Sequence, residues 1–324
     1  MTRFIKTIIA GILITITSQA YSQDLPTTPL TGCGSSATVN AWFREFGRSG
    51  HMPPVLGHWL ADSKSQIVKP WQAFDNVYFV GVCWVSSWLV KTSAGPVLID
   101  TLYEPFTEQL LDNIRKVGVD PADIKLVLVT HGHFDHAGGI ARLNAFTHAR
   151  FAMTQRGWDE AHHDAKKSQG SDHPWTMPAT DEVVKDGDVL TVGDTRFYVY
   201  ETPGHTWGTA SYALDVTDHG KRYRAITIGG LGLNAIDGPA QVEAYIQSID
   251  RIKGLVNDAE HAVTVHLTAH PFSNGLMETA QRLNMRTEGQ ENPLVDKAGL
   301  LAQLATLREQ AVARLAIEKQ KVEK

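Results

Sequence analysis

The residues best equipped for chemistry stand together in Thr130-His131-Gly132-His133-Phe134-Asp135-His136. Side chains two apart in an extended chain project the same way, so His131 and His133 can aim their imidazoles at one point. Asp135 and His136 fall one residue out of phase, point elsewhere and can hold a second ion nearby. Imidazole and carboxylate donors without thiolate suit zinc, and on donor type alone also iron or manganese. The chain has 14 histidines in 324 residues, so chance assembly of H-x-H-x-D-H is roughly one in a thousand. The bland alternative is a polar loop whose histidines cap or hydrogen-bond.

Four residues do not close two sites. His205 lies in Thr202-Pro203-Gly204-His205-Thr206-Trp207-Gly208, a breaker-flanked loop directly after a strand-like run. His270 precedes Pro271, which cannot continue a central ladder, so it marks a strand end, where α/β sheets present ligands. His266, four residues earlier, falls inside the strand and reads as a packing residue or a support for a ligand.

Strands must carry these groups. Residues 124–129 are apolar except for Lys125, as in a strand buried on both faces, and run straight into the histidine cluster. Strand-like runs also cover residues 77–80, 82–90, 97–99, 189–192, 197–201, 210–214, 223–228 and 262–268, with a turn at Ala94-Gly95. Helical spacing covers 106–117, 137–144, 242–252 and 297–319, the last presenting Leu300, Leu304, Leu307 and Leu315 as an outer-layer face. Residues 23–70 read as an extended N-terminal segment wrapped on the domain. Residues 158–188 read as a long irregular loop in which Trp158, His162, His163 and Trp175 either touch substrate or pack back. No linker composition interrupts the alternation, so residues 23–324 form one α/β domain.

The first 22 residues have the form of a cleavable leader. Arg3 and Lys6 precede an apolar run at 8–16, and Ala20-Tyr21-Ser22 places small residues for cleavage near Ser22/Gln23. The run is too short to span a bilayer, so a periplasmic or secreted protein without a permanent membrane anchor is expected. The net charge of -5 argues against nucleic acid and leaves a small molecule as the expected partner. Composition says nothing of oligomeric state. Cys33 and Cys83 either pair or remain partly buried thiols. Leu30-Thr31-Gly32-Cys33 has the look of a lipid-attachment box, but too far beyond the apolar run.

T-H-G-H-F-D-H-A-G-G followed by T-P-G-H-T-x-G-T resembles the metallo-β-lactamase superfamily, over about residues 75–284. His136 after the motif aspartate, and the lack of a cysteine ligand, resemble the third subclass, B3. The exported state, V-L-I-D-T at 97–101 and H-P-F-S-N at 270–274 fit the same group. The resemblance implies an αββα sandwich of two mixed sheets with outer helices. It implies one zinc on His131, His133 and His205 and a second on Asp135, His136 and His270, with Asp100 either supporting the metal loop or capping a turn.

Two zinc ions sharing a water lower its pKa from about 16 toward neutrality. The expected reaction is attack of that activated water on a β-lactam carbonyl, with Asp135 orienting it. The alternative is a periplasmic hydrolase of the same fold acting on a lactone or ester. The segment after residue 228 bears on the choice. Bridged relatives carry an aspartate there and third-subclass enzymes carry serines, whereas this chain reads Gly229-Gly230-Leu231-Gly232. Gly230 and Trp207, the latter standing where many relatives have proline, are therefore candidate determinants of the substrate pocket.

Overall fold

Short apolar strands, each ended by a breaker or a polar loop, build two sheets. The structure is a computed structural model that describes residues 33–49, 51–234 and 236–322, so the leader expected at 1–22 lies outside the described residues. In the first sheet β1 (Trp71–Phe74), β2 (Val77–Phe79), β3 (Trp88–Val90), β4 (Val97–Ile99), β5 (Leu126–Leu128), β6 (Arg150–Thr154) and β7 (Glu182–Val184) pair in that order. Pairing is antiparallel from β1 to β4 and parallel from β4 to β7. The second sheet runs β12 (Val263–His266), β11 (Lys221–Thr227), β10 (Ala210–Asp218), β9 (Thr195–Glu201), β8 (Val189–Val192), with only β11–β12 parallel. Both sheets are mixed.

Side-chain alternation fixes the layers. On β10, Tyr212, Leu214 and Val216 enter the core shared with Phe79, Leu98 and Leu128 of the first sheet, while Ala213 joins the opposite cluster with Tyr245, Ile249, Leu300 and Leu304. Residues two apart take one face and their neighbours the other. The second cluster is the seat of α7 (Pro239–Val256) and α9 (Lys297–Val322), which pack on each other and on β12. On the outer face of the first sheet lie α3 (Phe106–Lys116), through Leu110, Leu111 and Ile114, and α6 (Gln155–Ser168), through Trp158, Ala161 and Ala165. The result is the αββα sandwich.

Two segments differ from the sequence reading. The N-terminal stretch is not extended: it holds α1 (Ser36–Ser49) and α2 (Pro54–Ala61). The N-terminus of α1 is fixed by Glu278 of α8 (Leu276–Asn284), which accepts from Ser36 N at 2.8 Å and Ser36 Oγ at 2.7 Å. A Cys33–Cys83 disulfide, with Cα atoms 5.5 Å apart, ties this segment to the loop before β3. The sulfur of Cys33 is therefore not available to a lipid thioether. Buried Asn113 adds a second tie, donating to Val68 O at 3.1 Å and Val80 O at 3.0 Å. Strand pairing in the 82–90 run is confined to β3, because residues 81–87 fold back tightly: a Cβ on Gly81 would lie 2.6 Å from Ser87 N.

The second difference is α6, which occupies the first part of the expected 158–188 loop. Thr154 caps it by accepting from Gly157 N. Trp158 is fully buried and donates to Glu182 O at 3.1 Å, and His162 contacts Pro178 O at 2.8 Å. Trp175 also packs against the core. Packing, not an open lid, accounts for these three.

Candidate metal centre

The chemistry-bearing loops leave the ends of β4, β5 and β12 and the β9–β10 connection. From β5 come His131, His133, Asp135 and His136, the last two in the single turn α4 (Phe134–Ala137). His205 arrives from the β9–β10 loop and His270 from just beyond β12. Their donor atoms form two groups, His131–His133–His205 and Asp135–His136–His270, within each of which all lie within 4.8 Å of one another. His133 Nδ1 stands 3.1 Å from His131 Nε2 and 3.0 Å from His205 Nε2. His136 Nε2 stands 3.3 Å from His270 Nε2 and 3.2 Å from Asp135 Oδ2.

These spacings suit a cation. Tetrahedral ligands about 2.05 Å from zinc are about 3.3 Å apart. The outward ring nitrogens explain why lone pairs converge. His205 Nδ1 faces Gly232 O at 2.7 Å and His270 Nδ1 faces Trp84 O at 2.8 Å. A carbonyl only accepts, so Nδ1 carries the proton in both rings and Nε2 turns a lone pair inward. Thr130 Oγ1 donates to Asp100 Oδ2 at 3.0 Å and so accepts from His131 Nδ1 at 3.0 Å, with the same consequence for His131 Nε2.

Charge follows burial. Burial, reinforced by neighbouring histidines, lowers the pKa of His131, brings His205 down to about 3 and His270 to about 4. Burial also opposes the charge of Asp135, yet His136, His270 and His133 hold its carboxyl well below the usual range. His136 is the exception: burial disfavours its charge, but Asp135 and Asp100 outweigh it and push it up to about 10. The cluster thus offers neutral imidazoles and an ionised carboxylate, with a proton held on His136 for a cation to displace.

Asp100 does both things the sequence left open. It takes a positive φ of 62°, tolerated best by Gly, Asn and Asp, just after β4. Its carboxylate accepts from Thr130 N at 2.8 Å and bonds His136 Nδ1 at 2.8 Å, fixing both loop and ring. Gly230 has φ +67°, and a Cβ there would lie 2.3 Å from His205 Cβ; one on Gly229 would lie 2.1 Å from Ala210 O. The backbone passes directly against His205, so neither position has room for a side chain. Trp207 is 39% exposed at the rim, with the Arg156 guanidinium 5.7 Å from its ring centroid.

His266 stands apart from the six donors. Its Nδ1 contacts Gln303 Oε1 at 2.9 Å, and its Nε2 is buried without a partner among the described residues. Burial lowers its pKa to about 4. The unfolded chain, near 6.5, binds the proton first, so this contribution to stability is complete above about pH 6.5 and lost as pH falls toward 4, about 3 kcal/mol in all. Denaturant midpoints of metal-stripped protein at pH 7 and pH 4.5 should converge for wild type and His266→Gln as pH falls; parallel curves would refute this assignment.

Sequence reasoning missed Trp84. Its carbonyl orients His270, its ring stacks on His270 with centroids 5.5 Å apart, and Tyr103 and Phe134 continue the aromatic wall. No motif surrounds Trp84, and only the return of the 81–87 loop brings it to the site.

A family model described as the metallo-beta-lactamase superfamily matches residues 80–217. Among curated proteins, the chain is 31% identical over 128 residues to metallo-beta-lactamase domain-containing protein 1 of Xenopus laevis, covering 39% of this chain and 47% of that one. It is 34% identical over 132 residues to a hydroxyacylglutathione hydrolase of Rhodopseudomonas palustris, covering 41% and 44%. The chain thus spans about half the length of these curated relatives. Among solved structures, a subclass B3 metallo-β-lactamase of Bradyrhizobium japonicum superposes with TM-score 0.70 at 27% identity, over 79% of this chain and 97% of that one. The native metallo-β-lactamase of Legionella gormanii gives 0.70 at 26% identity, over 78% and 98%. Fold, motif loops and these comparisons agree: residues 80–217 match the metallo-β-lactamase superfamily, and among solved structures the chain resembles subclass B3 enzymes.

Proposed function

We propose that this chain is an exported, two-zinc hydrolase that opens the β-lactam ring. The observation that carries the reading is the second donor group, Asp135–His136–His270, combined with a backbone that leaves no room for a side chain at 229 or 230. A bridging aspartate at Gly229 or Gly230, as in the glyoxalase-type arrangement, would collide with Ala210 O or with the His205 ring. The near-complete overlap with subclass B3 enzymes supports the same choice over the partial match to hydroxyacylglutathione hydrolases. A disulfide suits an oxidising compartment, and no helix among the described residues is long and apolar enough to cross a membrane.

Zinc bound by these residues would supply Lewis acidity and bring the pKa of water toward neutrality. The chain's own groups do the rest. Asp135, kept ionised, accepts a hydrogen bond from the attacking water and so aims the water's lone pair at the carbonyl carbon. His205 and His270 are held in one tautomer by Gly232 O and Trp84 O, so their orientation is set before substrate arrives. Phe134, 45% exposed, and Trp207 give the rim two apolar faces that shed water as an apolar substrate settles.

A second reading is favoured by one specific observation: residues 229–232 offer no hydroxyl or charge to hold a substrate carboxylate. Such a site would suit a lactone or ester. The test is a panel on the purified mature protein, with nitrocefin, a carbapenem, an acyl lactone and a glutathione thioester, run beside a metal count. Hydrolysis of both antibiotics, abolished by a chelator and restored by zinc, is expected. Turnover of the lactone with neither antibiotic touched would replace the proposal with the second reading.

A further inference from the structure

Glu160 is a half-buried acid that the reaction above does not use. It lies on α6, whose first half is wedged under both ligand-bearing loops. A Cβ on Gly132, between His131 and His133, would fall 2.6 Å from Ala161 N and 2.7 Å from Gly157 O. A Cβ on Gly208, three residues after His205, would fall 2.2 Å from Gly157 N. Both loops therefore touch the helix backbone, and glycine is what permits the contact.

The hydrogen bonds lock that contact. Glu160 Oε1 accepts from Gly208 N at 3.0 Å, and Thr154 Oγ1 donates to Gly208 O at 2.7 Å. The N–H and the C=O of one glycine are thus both held from the start of α6. Glu160 Oε2 is buried without a partner among the described residues. Burial raises the Glu160 pKa, while Thr206 and the backbone of Gly208 and Trp207 pull it down. A carboxylate placed so costs stability, and an apolar residue would serve a mere packing role better.

We infer that Glu160 is a positioning residue that holds the 206–209 segment on α6 and thereby sets His205 against His131 and His133. The inference rests on the metal-hydrolase reading and goes beyond it, since Glu160 touches none of the six donors. The consequence is directional. Loss of the tie disturbs the His131–His133–His205 group and leaves Asp135–His136–His270, which α6 does not tether through Glu160, as it was.

The test uses the mature protein loaded with cobalt(II), read by its visible d–d bands and by competition with a chromophoric chelator. Glu160→Ala is expected to weaken one of two cobalt sites by about 10- to 100-fold, shift the bands of that site, and lower kcat more than KM changes. Glu160→Gln keeps an acceptor for Gly208 N–H and should recover most of the affinity. Two wild-type-like sites in Glu160→Ala would overturn the inference, as would equal weakening of both sites alongside a lower melting point of the metal-free protein. If Glu160→Ala does not fold, Glu160→Asp, whose shorter arm falls short of Gly208, should show the loss that Glu160→Gln avoids; the reverse order overturns it. Failure of the wild-type protein to take up cobalt would instead strike the metal reading itself.

Discussion

His205→Ala should lower kcat/KM by at least about a hundredfold and reduce the bound zinc from two ions to one. The loss follows from geometry. His131 Nε2 and His133 Nδ1, 3.1 Å apart, would remain as a two-point chelate, and the second donor group shares none of its atoms with the first. Zinc that keeps an open position for catalysis still wants three protein ligands. The same substitution removes a buried ring that contacts Gly232 O, so some destabilisation accompanies it. Metal analysis after gel filtration, kinetics and near-UV circular dichroism on one preparation separate these effects. A folded variant that keeps two zinc ions and wild-type turnover would falsify the proposed donor set.

The second large effect concerns Gly230. Changing it to serine moves the sequence toward the third-subclass pattern, yet the structure says the change is harmful. The new Cβ would lie 2.3–2.4 Å from His205 Cβ, Cγ and Cδ2, and the residue would have to keep φ +67°. Left-handed backbone costs about 1–2 kcal/mol for an ordinary residue, and overpacking a tight site adds about 1–3 kcal/mol. A loss of about 2–5 kcal/mol in urea unfolding is expected, with activity down more than tenfold because His205 must shift. An active Gly230→Ser protein with unchanged stability would mean the loop has freedom that the backbone placement denies.

Much of the site was legible because its groups sit at element ends, where sequence is most explicit. The buried strand β5 announced itself by an apolar run, and Pro271 set His270 apart from His266: the structure gathers the former with Asp135 and His136 and leaves the latter against Gln303. The fold class followed from alternation and from the resemblance. What escaped was polar helix. α6 has the core-facing spacing Trp158, Ala161, Ala165, but Gly157, adjacent histidines and many charges disguised it as a loop. The N-terminal helices were hidden by scattered breakers, although Pro54 is well placed to open one. Trp84, Thr130 and Glu160 act through contacts 186, 30 and 48 residues away, to His270, Asp100 and Gly208, and no local pattern encodes such pairings. Asp100 was visible as an acid that either supports the metal loop or caps a turn; its bond to His136 was not.

The donor groups also straddle the seam of the sandwich. An unfolded chain offers only residues 131–136 as a local chelate, because His205 and His270 join from 72 and 134 residues away and on the other sheet. Under the proposed reading, cations are captured only once the halves have closed, and each then acts as a clasp. At free zinc a hundred times its dissociation constant, one such ion adds about 2.7 kcal/mol against reopening. Scarcity of zinc would therefore threaten the persistence of this fold as directly as it threatens turnover.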